Sequence, residues 1–165
     1  MQPLSTSDFK IYFERIPDLL PHWAGVTAID EIPNQLKVKS FLIINTSIKA
    51  KKEGHWLVLS RPHKGVLELF NSLGYDSLEA IKPYLKFPFK SEIIFNNSPF
   101  QLPTTASCGL YCVYFAVYRF FNLDIAFEEL IEDLFTPDLN KNEEIVAKFC
   151  HQIINMSNPH DLFLM

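Results

Sequence analysis

A cysteine that opens an apolar run, with a glutamine seven residues before it, is the pairing in this chain that carries the most chemistry. The stretch is Gln101-Leu-Pro-Thr-Thr-Ala-Ser-Cys108-Gly109, and it leads directly into the apolar segment Leu110 to Phe121. A thiol at a helix start is suited to nucleophilic attack on a carbonyl. The partial positive charge at a helix N-terminus favours its thiolate and predicts a pKa below the ordinary value of ~8.5. The Gln101 amide and the Cys108 backbone N–H could then donate to the oxyanion formed by that attack. Pro103 and Gly109 suit a tight approach loop and a helix start with no bulky side chain over the sulfur.

Such a nucleophile needs a base. Of the five histidines, His55 opens the apolar run Trp56-Leu-Val-Leu-Ser60, whose rigidity as a strand would hold an imidazole in place. His22 is a competitor, His63 lies in a turn, and His151 and His160 lie near the C-terminal end. A third group should orient the imidazole. Asn71, in Asn71-Ser72-Leu73-Gly74 at the end of the next apolar run, offers a side-chain carbonyl that fixes the tautomer without supplying a full charge. Glu68 is the carboxylate rival, but it sits inside that run with the opposite side-chain parity. Asp76 is a second rival and reads better as a helix cap. Cys112 and Cys150 read as buried structural thiols. Trp56 either covers the imidazole or fills the core. The Gln-to-Cys loop is not a metal or phosphate motif, and no cofactor is called for.

The His-Trp pair opening a strand, the Asn-Ser-Leu-Gly turn and the Gln-to-Cys-Gly spacing together resemble the adenain family, the adenovirus maturation proteases, with their relatives in virophages and Polinton-type elements. SUMO-protease-type enzymes share the His, Asn or acid, Gln, Cys order, but their Gln lies one residue nearer the Cys. The resemblance runs from the first helix to about Phe121. It implies a papain-related α/β fold with a central mixed sheet flanked by helices. It also implies His55 as base, Asn71 as orienter, Gln101 as oxyanion donor and Cys108 as nucleophile of a cysteine endopeptidase. The implied substrates are viral precursor polypeptides, cut during capsid maturation beside small residues such as Gly. Adenovirus proteases are stimulated by DNA and by a viral peptide bound through a cysteine, and this chain has no recognisable counterpart of that attachment. In such enzymes the region around Trp23 borders the substrate groove, so Trp23 lines a subsite or belongs to the core. Two alternatives stay open: an isopeptidase acting on ubiquitin-like modifiers, and a catalytically inactive, capsid-associated binding module.

Composition narrows the field further. The 165 residues, 48% of them hydrophobic, suffice for one domain spanning 1–165 with a single core. A net charge of -4 argues against a broad phosphate-binding surface, and so against stimulation by nucleic acid. The basic cluster Lys37, Lys39, Lys49, Lys51 and Lys52 reads as a solvated loop. Three widely spaced cysteines, without CxxC or His/Cys metal spacing, suit a reducing compartment such as a host-cell interior or virion. Arg119 interrupts the most apolar run, and no signal pattern appears, so a soluble and monomeric protein is expected.

The elements that must position the site follow from periodicity. A helix is predicted from about Asp8 to Arg15, capped by Ser5 or Ser7, and Trp23 to Leu36 reads as a loop or a short extended piece. Strands are predicted at 40–45, 55–60, 66–70 and 92–95, the first three joined by hairpin-length turns and covered on both faces. A helix capped by Asp76 runs to about Leu85, and Pro88 closes it. Further helices start at Cys108, at Ile125 and at Lys141, the last amphipathic through Ile145, Phe149, Gln152 and Ile153. The tail from Asn155 is either loose or docked by Leu162 and Phe163.

Overall fold

The computed structural model describes residues 3–51, 54–75, 77–86, 92–158 and 161–162. Its elements are α1 (Thr6–Glu14), β1 (Trp23–Ala28), β2 (Ser40–Asn45), β3 (Trp56–Arg61), β4 (Val66–Phe70), α2 (Ser77–Ile81), β5 (Glu92–Phe95), α3 (Cys108–Phe121), α4 (Phe127–Leu134) and α5 (Leu139–Asn155). The Asp76, Pro88, His160, Phe163 and Lys52 assignments made above lie outside the described residues.

The five strands form one mixed sheet in the order β1-β2-β3-β4-β5. The hairpins β2/β3 and β3/β4 are antiparallel, whereas both outer pairings, β1/β2 and β4/β5, are parallel. β1 is the main departure from the sequence reading, which made this stretch a loop or short extended piece. Gly25 adopts φ 116 inside it, and the register with β2 shifts between Trp23 and Val26. Local breaker signals are overridden here by pairing with β2, which is itself held by its hairpin with β3.

Alternation along the strands builds two apolar layers. Phe41, Ile43, Trp56, Val58 and Phe70 face one side and join the layer holding Phe9, Phe13 and most of α3. Leu42, Ile44, Leu57, Leu59, Leu67 and Leu69 face the other, against Ile29, Ile32, Leu36, Ile81 and Leu85. Because the side-chain period of a strand is two, the unbroken apolar runs of β2 and β3 serve both layers at once.

Helix α3 is the spine of the first layer. All of its residues except Tyr118 and Phe121 are buried, and it rests on β3 with α1 and α5 alongside. Phe70 of β4 stacks on Phe115 with ring centroids 4.4 Å apart, and Phe100 stacks on Phe135 at 4.5 Å. Phe100 immediately precedes Gln101, so this aromatic stack anchors the loop leading to Cys108. Full burial of each such ring stabilises by roughly 1.5–3 kcal/mol, which makes the floor under that loop stiff.

Candidate active site

His55 is placed by the hairpin between β2 and β3. Thr46 closes it from both sides: its N–H donates to the His55 carbonyl at 2.8 Å, and its Oγ1 accepts the His55 N–H at 2.9 Å. The imidazole Nε2 lies 2.6 Å from Asn71 Oδ1. That oxygen also accepts the Leu73 N–H at 3.0 Å, while Asn71 Nδ2 donates to the Tyr75 carbonyl at 3.1 Å. The amide orientation is therefore determined by its own donors, and Nε2 must carry the proton in this bond. Nδ1 is left with a free lone pair, the protonation pattern of a base.

Asn71 is itself clamped. Asn96, just beyond β5, accepts the Asn71 N–H at 2.9 Å and donates to the Asn71 carbonyl at 2.7 Å. The turn after Asn71 closes with Gly74 at φ 68, lying so close to the Ser98 backbone that a Cβ there would collide with it. Phe100 and Gln101 N–H both donate to the Ser72 carbonyl, at 2.8 and 3.0 Å. The turn that orients His55 and the loop that carries Gln101 are thus laced into one unit. Asn96 was not singled out from sequence, since an Asn after a short strand looks like any turn residue.

Glu68, the carboxylate rival to Asn71, is committed elsewhere. It faces α3 and pairs with Arg119, with Nη2 to Oε1 and Nε to Oε2 both 2.9 Å, both side chains almost wholly buried. Ser60 Oγ donates to it at 3.2 Å. Burial raises the Glu68 carboxyl, and Arg119 and Ser60 pull it back.

Cys108 is the first residue of α3 and is 8% exposed. Its thiolate would receive the backbone N–H groups of Trp56, Gly109 and Cys108 itself, which puts the sulfur beside the residue that follows His55. The Tyr75 ring, half exposed, lies 5.8 Å from the imidazole and within electrostatic range of the thiol. The expected acidity of this thiol is not observed. Burial outweighs the three N–H groups and raises the Cys108 thiol above its ordinary value. His55 is moved the other way, lowered by burial and partly restored by the Asn71 bond. In both cases desolvation penalises the charged form.

Gln101 is buried, at 1% exposure. Ser72 Oγ donates to its Oε1 at 2.7 Å, and its Nε2 donates to the Thr105 carbonyl at 2.9 Å. The same Nε2 also lies 3.3 Å from Thr105 Oγ1, so in the free protein the amide donors are both turned toward Thr105. A Cβ at Gly109 would press on the Leu4 side chain, which covers the helix start. Trp56 fills the core, its indole N–H donating to the Leu4 carbonyl at 3.0 Å and its ring meeting Phe9 edge-on at 5.0 Å. Trp23 packs on Phe13 at 5.0 Å and borders a shallow recess with Gly25 and Val26. Cys112 and Cys150 are fully buried, and burial raises both thiols. His63 bonds the Leu123 carbonyl at 2.8 Å, and Lys49 pairs with Glu31 at 2.6 Å.

A cavity of about 480 Å³, bordered by Thr6, Ala28, Asn45, Ser47 and Trp56, opens beside the His55 strand. A larger one of about 590 Å³ lies behind the Asn96–Phe100 loop against α4, away from the thiol. Among the described residues no group of three or more His, Cys, Asp or Glu is placed to hold a metal ion, and no helix is long and apolar enough to cross a membrane.

No family model matches the chain. It is similar to a protein named Protease from bovine adenovirus 7, at 28% identity over 143 residues, a match covering 70% of this chain and 69% of the viral protein. That similarity points to a peptidase.

Proposed function

We propose that this protein is a cysteine endopeptidase of the adenain type, with Cys108 as nucleophile, His55 as base, Asn71 as its orienter and Gln101 as oxyanion donor. The observation that carries the reading is the Asn71–His55 bond, which leaves Nδ1 free to accept a proton, while the thiol that opens α3 faces the N–H of Trp56, the residue after His55. The similarity to a viral protease supports the same class of reaction.

In this reading the proton transfer accompanies attack on the substrate. With a peptide seated, His55 Nδ1 takes the Sγ proton as sulfur adds to the carbonyl carbon. The oxyanion is held by the Cys108 N–H and by the Gln101 amide, whose longer bond to Thr105 Oγ1 gives way to it. His55 then gives its proton to the leaving amine, and the C–N bond breaks to yield a thioester. Water adds to the thioester with His55 again accepting a proton, the acid is released, and the proton returns to sulfur. The substrate class is polypeptide, and by resemblance the physiological substrates are viral structural precursors.

The test uses a mixture of peptides from a denatured proteome, read for new N-termini by mass spectrometry. The wild type should create termini that Cys108→Ala does not, and His55→Ala should slow their appearance by roughly 10²- to 10⁴-fold, the usual contribution of a general base. Iodoacetamide should modify Cys108 well ahead of the buried Cys112 and Cys150. Absence of cleavage, with all three thiols modified at one rate, would overturn the proposal. Cleavage confined to ubiquitin-like fusions would replace it with the isopeptidase reading.

A further inference from the structure

A second buried carboxylate lies at the N-terminal end of α3, on an element the proposed mechanism does not use. Glu143, in the first turns of α5, is 9% exposed. None of the ion pairs among the described residues involves it. Its partners are instead neutral donors, the Tyr111 hydroxyl on α3 and three groups of the loop before Cys108. Leu102 N–H donates to Oε1 at 3.1 Å, Thr105 Oγ1 lies 2.8 Å from that same oxygen, and Ser107 Oγ donates to Oε2 at 2.8 Å. Asn142, one residue earlier, extends the attachment by donating to the Phe100 carbonyl at 3.1 Å.

Two consequences converge on the same part of the site. The carbonyl of Thr105 is the acceptor that holds Gln101 Nε2, so Glu143 fixes Gln101 through one intervening residue. Ser107 is the residue before α3, where a hydroxyl would ordinarily cap the helix. Here it caps nothing and turns to Glu143, leaving the first N–H groups of the helix open toward the sulfur. Within the loop itself, Thr105 N–H and Oγ1 reach the Leu102 carbonyl at 3.2 and 3.0 Å and Thr105 Oγ1 lies 2.8 Å from Ser107 Oγ, so Thr105 is the junction through which Glu143 meets the loop's own bonds. A buried carboxylate accepting several N–H and O–H bonds is a stronger tether than neutral acceptors would be.

We infer that Glu143 is a positioning residue, holding both oxyanion donors, the Gln101 amide and the Cys108 N–H, without acting on the thiol itself. This rests on the proposed nucleophile and oxyanion roles. Glu143 should therefore matter to reactions that pass through an oxyanion and not to those that only use sulfur as a nucleophile.

Two reactions of Cys108 on the full chain separate these. Iodoacetamide is attacked at its CH₂ carbon; the S–C bond forms as iodide leaves, and no oxyanion arises. p-Nitrophenyl acetate is attacked at its carbonyl; an oxyanion forms, then collapses to acetyl-Cys108 with loss of p-nitrophenolate. The quantity read is the ratio of acylation to alkylation rates at Cys108. Glu143→Gln keeps the size but offers one acceptor oxygen, and should lower the ratio on the order of tenfold. Gln101→Ala should lower it by roughly 10²-fold, as loss of an oxyanion donor does. Thr105→Val, which cuts one arm of the tether, should fall between wild type and Glu143→Gln. An unchanged ratio in Glu143→Gln overturns the positioning role while leaving the proposed nucleophile standing. A fall of both rates together, tracking a lower melting temperature, overturns it too and makes Glu143 a fold residue. A wild type in which the ester acylates Cys108 no faster than Cys112 or Cys150 overturns the nucleophile itself, and this inference with it.

Discussion

Two carboxylates are buried at opposite ends of helix α3, and they are held in opposite ways. Glu68, near the C-terminal end, is neutralised by Arg119 at 2.9 Å, with Ser60 as a lesser donor. Glu143, near the N-terminal end, is surrounded by the Leu102 N–H and the hydroxyls of Thr105, Ser107 and Tyr111. A guanidinium locks a charge by a direct, directional pair, whereas a ring of neutral donors transfers the charge's hold to whatever those donors belong to. At Glu68 the donors belong to a strand and a helix that are rigid already, and the result is a brace. At Glu143 all but the Tyr111 hydroxyl belong to an irregular loop, and the result is the ordering of that loop. The placement also suits the helix, with the Arg119 cation close to its negative C-terminal end.

Breaking the brace should have the largest effect. Arg119→Met leaves the Glu68 carboxylate buried and unpaired, and should destabilise the protein by about 3–5 kcal/mol in urea unfolding. Adding Glu68→Leu should recover most of that loss, because the uncompensated charge is removed. A single-variant cost below about 1 kcal/mol would mean that water reaches Glu68, and the contrast between the two ends would fail.

A smaller effect follows from His55. Its pKa in the folded state is lowered by burial, so the unfolded chain binds the proton more tightly. The corresponding stability is complete above the unfolded value of ~6.5 and is lost as pH falls from there toward the folded pKa. Relative to His55→Gln, the wild type should lose up to about 1.4 kcal/mol per pH unit within that window. Parallel stability curves for the two proteins between pH 7 and 5 would show that the imidazole is solvated.

The most discriminating pair is Ser60→Ala against Ser107→Ala. Each removes one hydroxyl from one buried carboxylate, and each should cost about 1–2 kcal/mol. Only Ser107→Ala should lower the acylation-to-alkylation ratio at Cys108. Equal effects of the two on that ratio would erase the functional distinction between the carboxylates.

Much of the scaffold was legible from periodicity alone. The strands at 40–45, 66–70 and 92–95 lie where the apolar runs placed them, and α3 begins at Cys108 as the Ser-Cys-Gly step predicted. His55 and Asn71 were legible because each sits at a strand end, where chain direction and parity already say which way a side chain can reach. β1 was not, since its Gly25 kink reads as a turn until β2 is available to pair with it. Glu143 was missed for a comparable reason. The buried stripe of α5 runs Asn142, Glu143, Val146, Phe149, Cys150, Ile153, and a polar start to that stripe looks like a solvated first turn. Extending the apolar spacing back by one turn was the signal available.

By itself the sequence determined which groups exist and which local elements carry them: a thiol at a helix start, an imidazole at a strand start, an amide seven residues before the thiol. Those follow from spacings of a few residues, where backbone geometry alone dictates direction. Tertiary structure decided how the groups behave. Desolvation by residues far apart in the chain raised the thiol that the helix end alone would have made acidic. It also lowered the imidazole, and it placed a carboxylate from residue 143 beneath a loop some forty residues earlier. Burial and long-range hydrogen bonding depend on which segments meet, and no local spacing encodes that.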